Sequence, residues 1–364
     1  MREFYLDNIR YFTIIIVVLF HVIYMYNGQS IPGVVGPFHK DQIQDLFQYI
    51  VYPWIMILLF IISGISSNYY LKKYTISNFI HNRTTKLLVP STIGPFVFGW
   101  AQGYYNMLLS NAFSKMPSDI NKLFLLLIMC LCGIGVLWFN HVLWINSIIL
   151  ILFIKYEKNK IYNFWGNRNF ISIFSLGVGL FISAQFLNTP VIEVYRFGVF
   201  LYSYLIGYYV FSHESNIKQL EANYIFLVFM SIIFGILFTC KYYGENYASK
   251  EIFGSPLSIS YAWFICLSIL GIGKKFFDKE YKFTKFMREN SYGIYAFHYL
   301  FLSSTAFYLR KYSELSPFIQ YILVGMSSFL GSIFLFRIIS KIPFITWCVL
   351  GINKTKIIYL KSND

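Results

Sequence analysis

Long apolar stretches, separated by short polar segments, follow one another along almost the whole chain. Within a stretch the apolar residues do not alternate with polar ones, so the pattern predicts helices rather than β-strands. Most stretches approach the length of about 20 residues that a helix needs to cross a bilayer, and the shorter ones are expected to extend into flanking residues. The pattern predicts ten membrane spans, at residues 11–26, 46–66, 87–109, 138–154, 170–187, 194–211, 225–240, 257–272, 292–309 and 318–336.

The composition agrees with a membrane environment. Of the 364 residues, 57% are hydrophobic, 21% are aromatic and only 13% are charged, whereas about a quarter of a soluble domain is charged. Inside a bilayer every backbone polar group must be satisfied internally, which leaves helices or a closed barrel. Because the stretches lack a period of two, the predicted fold class is an all-α polytopic membrane protein with about ten transmembrane helices.

Basic residues are distributed unevenly over the predicted loops. With the N-terminus placed inside, 22 of the 30 Lys and Arg residues fall in inner segments, and the acidic residues show no such bias. The positive-inside rule describes this asymmetry, so both termini are predicted to be cytoplasmic. Topology therefore explains the net charge of +14, and no nucleic-acid partner is predicted.

One apolar stretch, residues 123–136, is left over. Counting it as an eleventh span would place the basic 155–168 loop outside, and its length of about 14 residues fits a re-entrant or interfacial segment better. We find no inverted repeat of the transporter kind. A single transmembrane domain is expected at residues 1–340, followed by a short cytoplasmic C-terminal tail at residues 341–364.

The five cysteines are interpreted as small hydrophobic residues. Only Cys130 and Cys132 lie close together, and C-x-C without a nearby histidine is a poor zinc pattern. No disulfide framework and no metal site is predicted. The remaining cysteines are Cys240, Cys266 and Cys348.

The first predicted helix carries Asp7, Arg10 and His21. Arg10 and His21 are eleven residues apart, almost three helical turns, so both project from one face, and Asp7 precedes Arg10 by one turn. The rise of about 16 Å places Arg10 at the cytoplasmic boundary and His21 well inside the membrane. An ionisable residue at that depth indicates a function. The alternative is a histidine that only hydrogen-bonds to a neighbouring helix.

A second intramembrane histidine, His298, lies in the ninth predicted span. It is about 11 Å from a helix start that Asn290 or Ser291 can cap. His141, near the outer end of a span, is expected to anchor its helix at the membrane interface. The loop histidines are expected to be solvated, and they are His39, His81 and His213.

Two further basic residues, Arg83 and Lys86, are one turn apart at the cytoplasmic start of the third predicted span. Together with Arg10 they would form a cationic collar. Fixed cations at a membrane boundary can hold the phosphate groups of a ligand. The alternative is that they are ordinary basic residues of an inner loop.

These residues belong to a series of short motifs. The first is Asp7-x-x-Arg10, followed by ten residues and His21. The others, in chain order, are Ser63-Gly64, Arg83-x-x-Lys86-x-x-x-Pro90, Leu137-Trp138-Phe139, Gly207-Tyr208 and Ser291-Tyr292-Gly293-Ile294-Tyr295-x-x-His298. Their order and the predicted topology resemble the membrane acyltransferase-3 family of integral membrane O-acyltransferases. Leu-Trp-Phe in place of Trp-Ser is similar to the branch that includes periplasmic-glucan succinyltransferases.

The resemblance implies an enzyme of the bacterial plasma membrane. Members transfer an acyl group, often acetyl or succinyl, from cytoplasmic acyl-CoA to a hydroxyl of a carbohydrate or related cell-envelope acceptor. Acyl-CoA is then the donor substrate, and the expected partners are a carbohydrate or lipid-linked glycan and the lipid bilayer. The resemblance leaves open whether transfer is direct or passes through an acyl-enzyme intermediate.

The resemblance also implies roles for particular residues. His21 is the candidate general base, because neutral imidazole accepts a proton near neutral pH. Asp7 is expected to fix Arg10 by a charge-assisted hydrogen bond. His298 is a candidate second base, proton relay or orienting partner. The candidate catalytic residues are therefore His21, Asp7 and His298, the donor-binding residues are Arg10, Arg83 and Lys86, and the substrate-side residues are Trp138 and Phe139.

Two positions depart from the family pattern. Lys86 stands where members often have arginine, which keeps the charge but loses the bidentate fork of the guanidinium group. Tyr11 follows Arg10 where a small residue is common. The packing beside Arg10 is therefore expected to differ from that of other members.

A protein of another class, a transporter or flippase without chemistry, is also compatible with ten spans and buried histidines, which permit proton coupling. The missing inverted repeat and the cytoplasmic clustering of the informative charges argue against it. CoA-dependent product formation in membranes distinguishes the two. A catalytically silent sensor would bind ligand without turnover.

The predicted topology can be tested with reporter fusions. Because basic residues favour the inner side, fusions after Lys160 and after Lys285 should report a cytoplasmic location, and a fusion after Lys250 should report an external one. An external signal after Lys160 would contradict this topology and would make residues 123–136 a true crossing.

Overall fold

The computed structural model describes residues 3–29, 33–39, 42–187 and 196–352. Within these ranges the protein is helical and contains no β-strand, which confirms the predicted all-α class. The α-helices are α1 Phe4–Tyr24, α2 Leu46–Leu71, α3 Ile76–Arg83, α4 Val89–Thr92, α5 Trp100–Leu109, α6 Lys122–Cys132, α7 Trp138–Glu157, α8 Lys160–Trp165, α9 Phe170–Gln185, α10 Phe197–Tyr209, α11 Glu214–Ala222, α12 Tyr224–Tyr242, α13 Lys250–Phe253, α14 Pro256–Phe276, α15 Lys282–Tyr312, α16 Pro317–Ile339 and α17 Pro343–Leu350. Short 3₁₀-helices occupy Ile43–Asp45, Phe113–Lys115 and Gly135–Leu137, and π-helical turns occupy Thr84–Leu88 and Pro95–Gly99.

Helices occupy the predicted spans. Six helical segments in the described ranges are long and apolar enough to cross a membrane, so the protein is a multi-pass membrane protein. The number of ten spans and the cytoplasmic termini stay predictions. Two predicted features fall partly outside the described residues, namely the first residues of the 194–211 span and the second half of the 341–364 tail, whose described part contains α17.

The chain divides into two compact units. Unit 1 consists of residues 1–17, 45–80 and 145–288, and unit 2 consists of residues 18–44, 81–144 and 289–364. Four helices, α1, α3, α7 and α15, contribute residues to both units. The expectation of a single domain at residues 1–340 stays a prediction.

The centre of unit 1 is the pair formed by α2 and α10. Gly64 of α2 and Gly207 of α10 face each other, and a Cβ on Gly64 would overlap the carbonyl oxygen of Tyr204. In the same way a Cβ on Gly207 would overlap the carbonyl oxygen of Ile61. Small residues let membrane helices approach closely enough to pack backbone against backbone. This contact gives a physical reason for the glycines in the Ser63-Gly64 and Gly207-Tyr208 motifs.

In unit 2 the second half of α1 packs beside α15 and α16. Buried residues from the three helices form one apolar cluster. Val22 and Met25 lie one and four residues beyond His21, while Leu302 lies four residues beyond His298. This packing fixes the two histidine-bearing helices next to each other. The full cluster is Val22, Met25, Tyr26, Leu302, Ala306 and Val324.

The predicted third span is an interrupted helix in unit 2. Two π-helical turns, Thr84–Leu88 and Pro95–Gly99, separate α3, α4 and α5. Pro90 and Pro95 provide the cause, because proline lacks an N–H and its ring clashes with the carbonyl four residues earlier. A π turn accommodates such a defect without ending the helix.

The leftover apolar stretch, residues 123–136, forms α6 and leads into the 3₁₀-helix before α7. α6 packs against α5, where Gly103 touches the backbone at Met129 and Gly99 touches Gly133. At 11 residues the helix is about 16 Å long, which is roughly half of a bilayer core. Its length is compatible with the expected re-entrant or interfacial segment.

The contact between α2 and α10 predicts that Gly207→Ala destabilises the protein. The added methyl group has no space, and overpacking typically costs about 1–3 kcal/mol. Purified Gly207→Ala protein should therefore unfold at a temperature several degrees below that of the wild type.

Gly325→Ala is the matched control, because Gly325 also lies inside a membrane helix but a Cβ there meets no atom within 4 Å. Equal unfolding temperatures for the two variants would contradict the tight packing of α2 on α10.

Candidate active site

Two imidazoles meet inside unit 2. His21 of α1 and His298 of α15 are hydrogen-bonded, with 3.1 Å between His21 Nδ1 and His298 Nε2. Their ring centroids are 5.1 Å apart. His298 is fully buried, and His21 is half-buried. The structure thus brings together the two intramembrane histidines that the sequence singled out.

The remaining contacts of His298 fix the positions of the protons. His298 Nδ1 lies 3.1 Å from the carbonyl oxygen of Ile294 and 2.9 Å from that of Tyr295. Carbonyl oxygens only accept hydrogen bonds, so Nδ1 must carry the hydrogen and donate it. In a neutral imidazole Nε2 is then an acceptor, and His21 Nδ1 must be the donor of the bond between the rings. Neutral His21 therefore has its lone pair on Nε2.

Aromatic rings surround His21. The ring of Tyr299 approaches it edge-on, with centroids 5.3 Å apart. Phe20 and Tyr24 of the same helix are 5.5 Å and 6.3 Å away, and both are also oriented edge-on. These rings restrict the orientation of the imidazole and limit the access of water to it. A basic nitrogen in such surroundings is suited to accepting a proton from a bound substrate.

The predicted substrate-side residue Phe139 is connected to the histidine pair of unit 2 through Tyr295. Its ring contacts the ring of Tyr295 edge-on, with centroids 6.2 Å apart, and Trp138 follows at 6.4 Å from Phe139. Tyr295 donates its hydroxyl to the carbonyl of Val136 at 2.5 Å. Because the carbonyl of Tyr295 also accepts the His298 Nδ1–H, one residue joins the aromatic pair to the histidines.

In unit 1, Arg10 is held from two sides. Its Nη1 donates to Asp7 Oδ1 at 3.2 Å, which is the contact expected from the spacing, and its Nη2 donates to Ser66 Oγ at 2.7 Å. Ser66 in turn donates to the carbonyl of Ile62 in α2. These bonds use two of the five guanidinium N–H groups, so the group keeps donors for an anion.

The other donor-binding candidates lie in unit 2. Arg83 ends α3, and Lys86 lies in the π-helical turn that follows. The turn is fixed by its neighbours, since Trp144 donates its indole N–H to Thr84 Oγ1 at 3.1 Å and Gly351 packs on the backbone at Thr85. Arg10 belongs to unit 1, whereas Arg83 and Lys86 belong to unit 2. The collar of these three cations therefore stays a prediction.

One loop histidine was wrongly expected to be solvated. His213 stacks on the ring of Tyr162 in unit 1, with centroids 4.0 Å apart, and its Nε2 lies 3.0 Å from the carbonyl of Tyr162. Burial lowers the pKa of His213 from its ordinary value. A stacking partner far away in the sequence leaves no local signal.

The sequence also did not indicate Ser66, Tyr295 or Tyr299 as parts of the site. Ser66 lies two residues beyond the Ser63-Gly64 motif and could have been suspected as a partner for a boundary cation. Tyr295 belongs to the motif that ends at His298, but the sequence gives no signal that its backbone carbonyl accepts the hydrogen bond from His298. The ring of Tyr299 contacts His21 only because α15 packs on α1.

Comparison with known proteins gives a family. A family model described as an acyltransferase domain, that of the acyltransferase-3 family, matches residues 3–337. No curated protein and no solved structure matches the chain. The resemblance to the glucan succinyltransferase branch stays a prediction, whereas the interpretation as a transporter without chemistry does not agree with the family. Since the match covers nearly the whole chain, the protein belongs to the acyltransferase-3 family and is a multi-pass membrane acyltransferase that transfers groups other than amino-acyl groups.

Proposed function

We propose that the protein transfers an acetyl or succinyl group from acyl-CoA to a hydroxyl of a carbohydrate or related cell-envelope acceptor in the bacterial plasma membrane. The observation that carries the proposal is the hydrogen-bonded pair of His21 and His298. A hydroxyl that attacks a thioester needs a base whose pKa lies near the working pH, and neutral imidazole provides one.

In the proposed step, His21 Nε2 takes the proton of the acceptor hydroxyl. The hydroxyl oxygen forms a bond to the thioester carbonyl carbon, and the bond from that carbon to sulfur breaks. The CoA thiolate leaves with the electron pair of the broken bond and takes the proton from the imidazolium. Atoms and charge balance, because the product is an ester and CoA with a free thiol.

His298 has a positioning role in this proposal. Its Nε2 accepts the hydrogen bond from His21 Nδ1 both in the neutral state and in the imidazolium. It thereby holds the ring in one orientation and keeps the reacting lone pair on Nε2. The sequence left three roles open for His298, namely second base, proton relay and orienting partner. The hydrogen bonds from its Nδ1 to two carbonyls support the role of orienting partner.

Cations at the inner boundary are proposed to bind the donor. Arg10 is fixed by Asp7 and Ser66 and retains hydrogen-bond donors for phosphate. Arg83 and Lys86 are proposed for the same ligand. Eleven residues of helix rise about 16 Å, so a donor whose phosphates bind at Arg10 can extend its pantetheine arm along α1 towards His21.

On the acceptor side we propose Trp138 and Phe139. The contact of Phe139 with Tyr295 places an aromatic surface next to the backbone that orients His298. Aromatic faces present a large apolar area with a fixed geometry, which suits the orientation of a ring-shaped acceptor such as a sugar.

Substitutions along α1 should separate catalysis from donor binding. Loss of a general base typically lowers the rate by about a hundredfold to ten-thousandfold, so His21→Ala should lose kcat at nearly unchanged KM for acyl-CoA. Arg10→Ala should instead raise KM. Activity of the wild type should fall as the pH drops, because a protonated imidazole cannot accept a proton. Initial rates with purified protein in nanodiscs measure all three effects.

His39→Ala is the matched control, since His39 is an exposed loop histidine and should keep full activity. If His21→Ala lowered the unfolding temperature but spared the specific activity, the histidine would be structural and the proposed catalytic role would be wrong.

The positioning role of His298 makes a different prediction. His298→Leu removes the acceptor for His21 Nδ1, and kcat should fall by about tenfold to a thousandfold while KM stays similar. His298→Gln supplies an amide oxygen that can accept the same hydrogen bond, and it should restore much of the lost rate. Steady-state kinetics of the two variants test this rescue. Equal losses in both variants at equal unfolding temperature would argue against an orienting hydrogen bond.

A further inference from the structure

Unit 1 contains a cavity that the proposed catalytic residues do not line. Its volume is about 560 Å³, within the range of small-molecule sites. It lies at the C-terminal end of α2, between the 72–76 segment and the loop that joins α7 to α8. On the predicted topology these segments face the cytoplasm. The side chains that carry the argument are Asn68, Lys72, Asn159, Tyr162, Asn163 and Tyr208.

Positive charge dominates the border of this cavity. The lining segments 71–76 and 154–163 contain five lysines and one glutamate. The glutamate, Glu157, accepts a hydrogen bond from the backbone N–H of Ile161 at 2.7 Å. Lys72 lines the cavity and donates to Tyr162 Oη at 2.9 Å. An ammonium group has three donors, so Lys72 can bind an anion while keeping this bond.

Aromatic walls give the cavity a fixed shape. Tyr162 is held by Lys72 at its hydroxyl and by His213, which stacks on its ring. Tyr208 of α10 forms another part of the wall and is almost fully buried. Rings that are fixed in this way can stack on a flat heterocycle without losing further conformational freedom.

Three carboxamides supply hydrogen-bonding capacity. Asn68 is 3% exposed, and its Oδ1 accepts no hydrogen bond from any described residue. Asn159 and Asn163 lie at the rim, where both side chains are exposed and accessible to a ligand. Buried polar groups are rarely left unsatisfied. Asparagine amides can pair with the hydrogen-bonding edge of a nucleobase.

We propose that this cavity binds the adenine nucleotide end of the acyl donor. The base lies against the tyrosine rings, the carboxamides bond to its edge, and Lys72 binds a phosphate group. A phospholipid headgroup would use the lysine but neither the stacking walls nor the carboxamides. The inference rests on the proposed function, because that function supplies a donor with a nucleotide end.

The depth of the cavity agrees with the position of Arg10 in the same unit. Arg10 bonds to Ser66, and Asn68 is two residues further along α2. Two residues of helix rise about 3 Å, so the arginine and the cavity are at nearly the same level of α2. A donor that reaches both residues can keep its charged groups at the membrane boundary.

Binding of adenosine 3′,5′-bisphosphate and of CoA to the purified full-length protein tests the inference by titration calorimetry. Lys72→Gln should weaken both by about tenfold and reduce the salt dependence, because one charge-assisted contact is lost. Lys72→Arg should bind close to wild type. Asn163→Leu should weaken binding by about threefold to tenfold.

Matched controls are Lys73→Gln and Asn167→Leu, which change neighbouring residues outside the cavity and should bind within about twofold of the wild type. Unchanged binding in both Lys72→Gln and Asn163→Leu would overturn the inference. Binding of dioctanoyl phosphatidylglycerol with the same variant pattern, together with no binding of the bisphosphate, would also overturn it and identify a lipid site.

The outcomes for the two proposals are distinguishable. If the bisphosphate binds with the expected variant pattern but the wild type transfers no acyl group, the nucleotide site stands and the proposed function fails. If Lys72→Gln transfers acyl groups with an unchanged KM for acyl-CoA, the proposed function stands and the cavity is not part of the donor site.

Discussion

The hydrogen bond between His21 and His298 is the interaction on which the candidate active site depends. His298 is fully buried in α15, within the predicted ninth span, where no lipid group can replace a lost hydrogen-bond partner. The carbonyls of Ile294 and Tyr295 hold its Nδ1–H, so Nε2 is left as an acceptor for His21. An unsatisfied N–H at this depth would cost about 1–3 kcal/mol or more. The same contacts that avoid this cost therefore determine which nitrogen of His21 can act as a base.

Apolar packing brings the two imidazoles together. Val22 and Met25 on one side and Leu302 and Ala306 on the other lie within about two turns of the histidines. Lipid is as apolar as these side chains, so close packing rather than exclusion from water holds membrane helices together. A substitution in this cluster would thus move the histidines apart even though it touches neither of them. The same apolar contacts therefore determine both the orientation of the His21 ring and the stability of this part of unit 2.

Helix positions could be predicted because a membrane span is a property of consecutive residues. The contact of Arg10 with Asp7 could be predicted for the same reason, since residues three apart are neighbours on any helix. The hydrogen bond between His21 and His298 could not be predicted from spacing, because 277 positions separate the two residues, and an orienting partner was only one of three roles open for His298. Ser66 and Tyr162 were missed for this reason too. The π-helical turns near Pro90 and Pro95 could be predicted only in part. Proline marks the position of a helix defect, but it does not determine which kind of helical turn forms there.

A pair of histidines is better suited to this environment than a histidine with a carboxylate. A carboxylate would be charged throughout the cycle, and a charged side chain in a membrane helix costs about 2.5–3.5 kcal/mol or more unless a cation pairs with it. With His298 as the acceptor the pair is neutral before the proposed reaction. In the proposed step, a positive charge arises only when His21 takes the proton of the hydroxyl, and it disappears when the thiolate is protonated. Negative charge develops on the thioester oxygen during that same interval. In the proposed step the imidazolium therefore stabilises this charge in the transition state, where stabilisation accelerates the reaction. The cost of burying charge is thus confined to the step in which the charge contributes to catalysis.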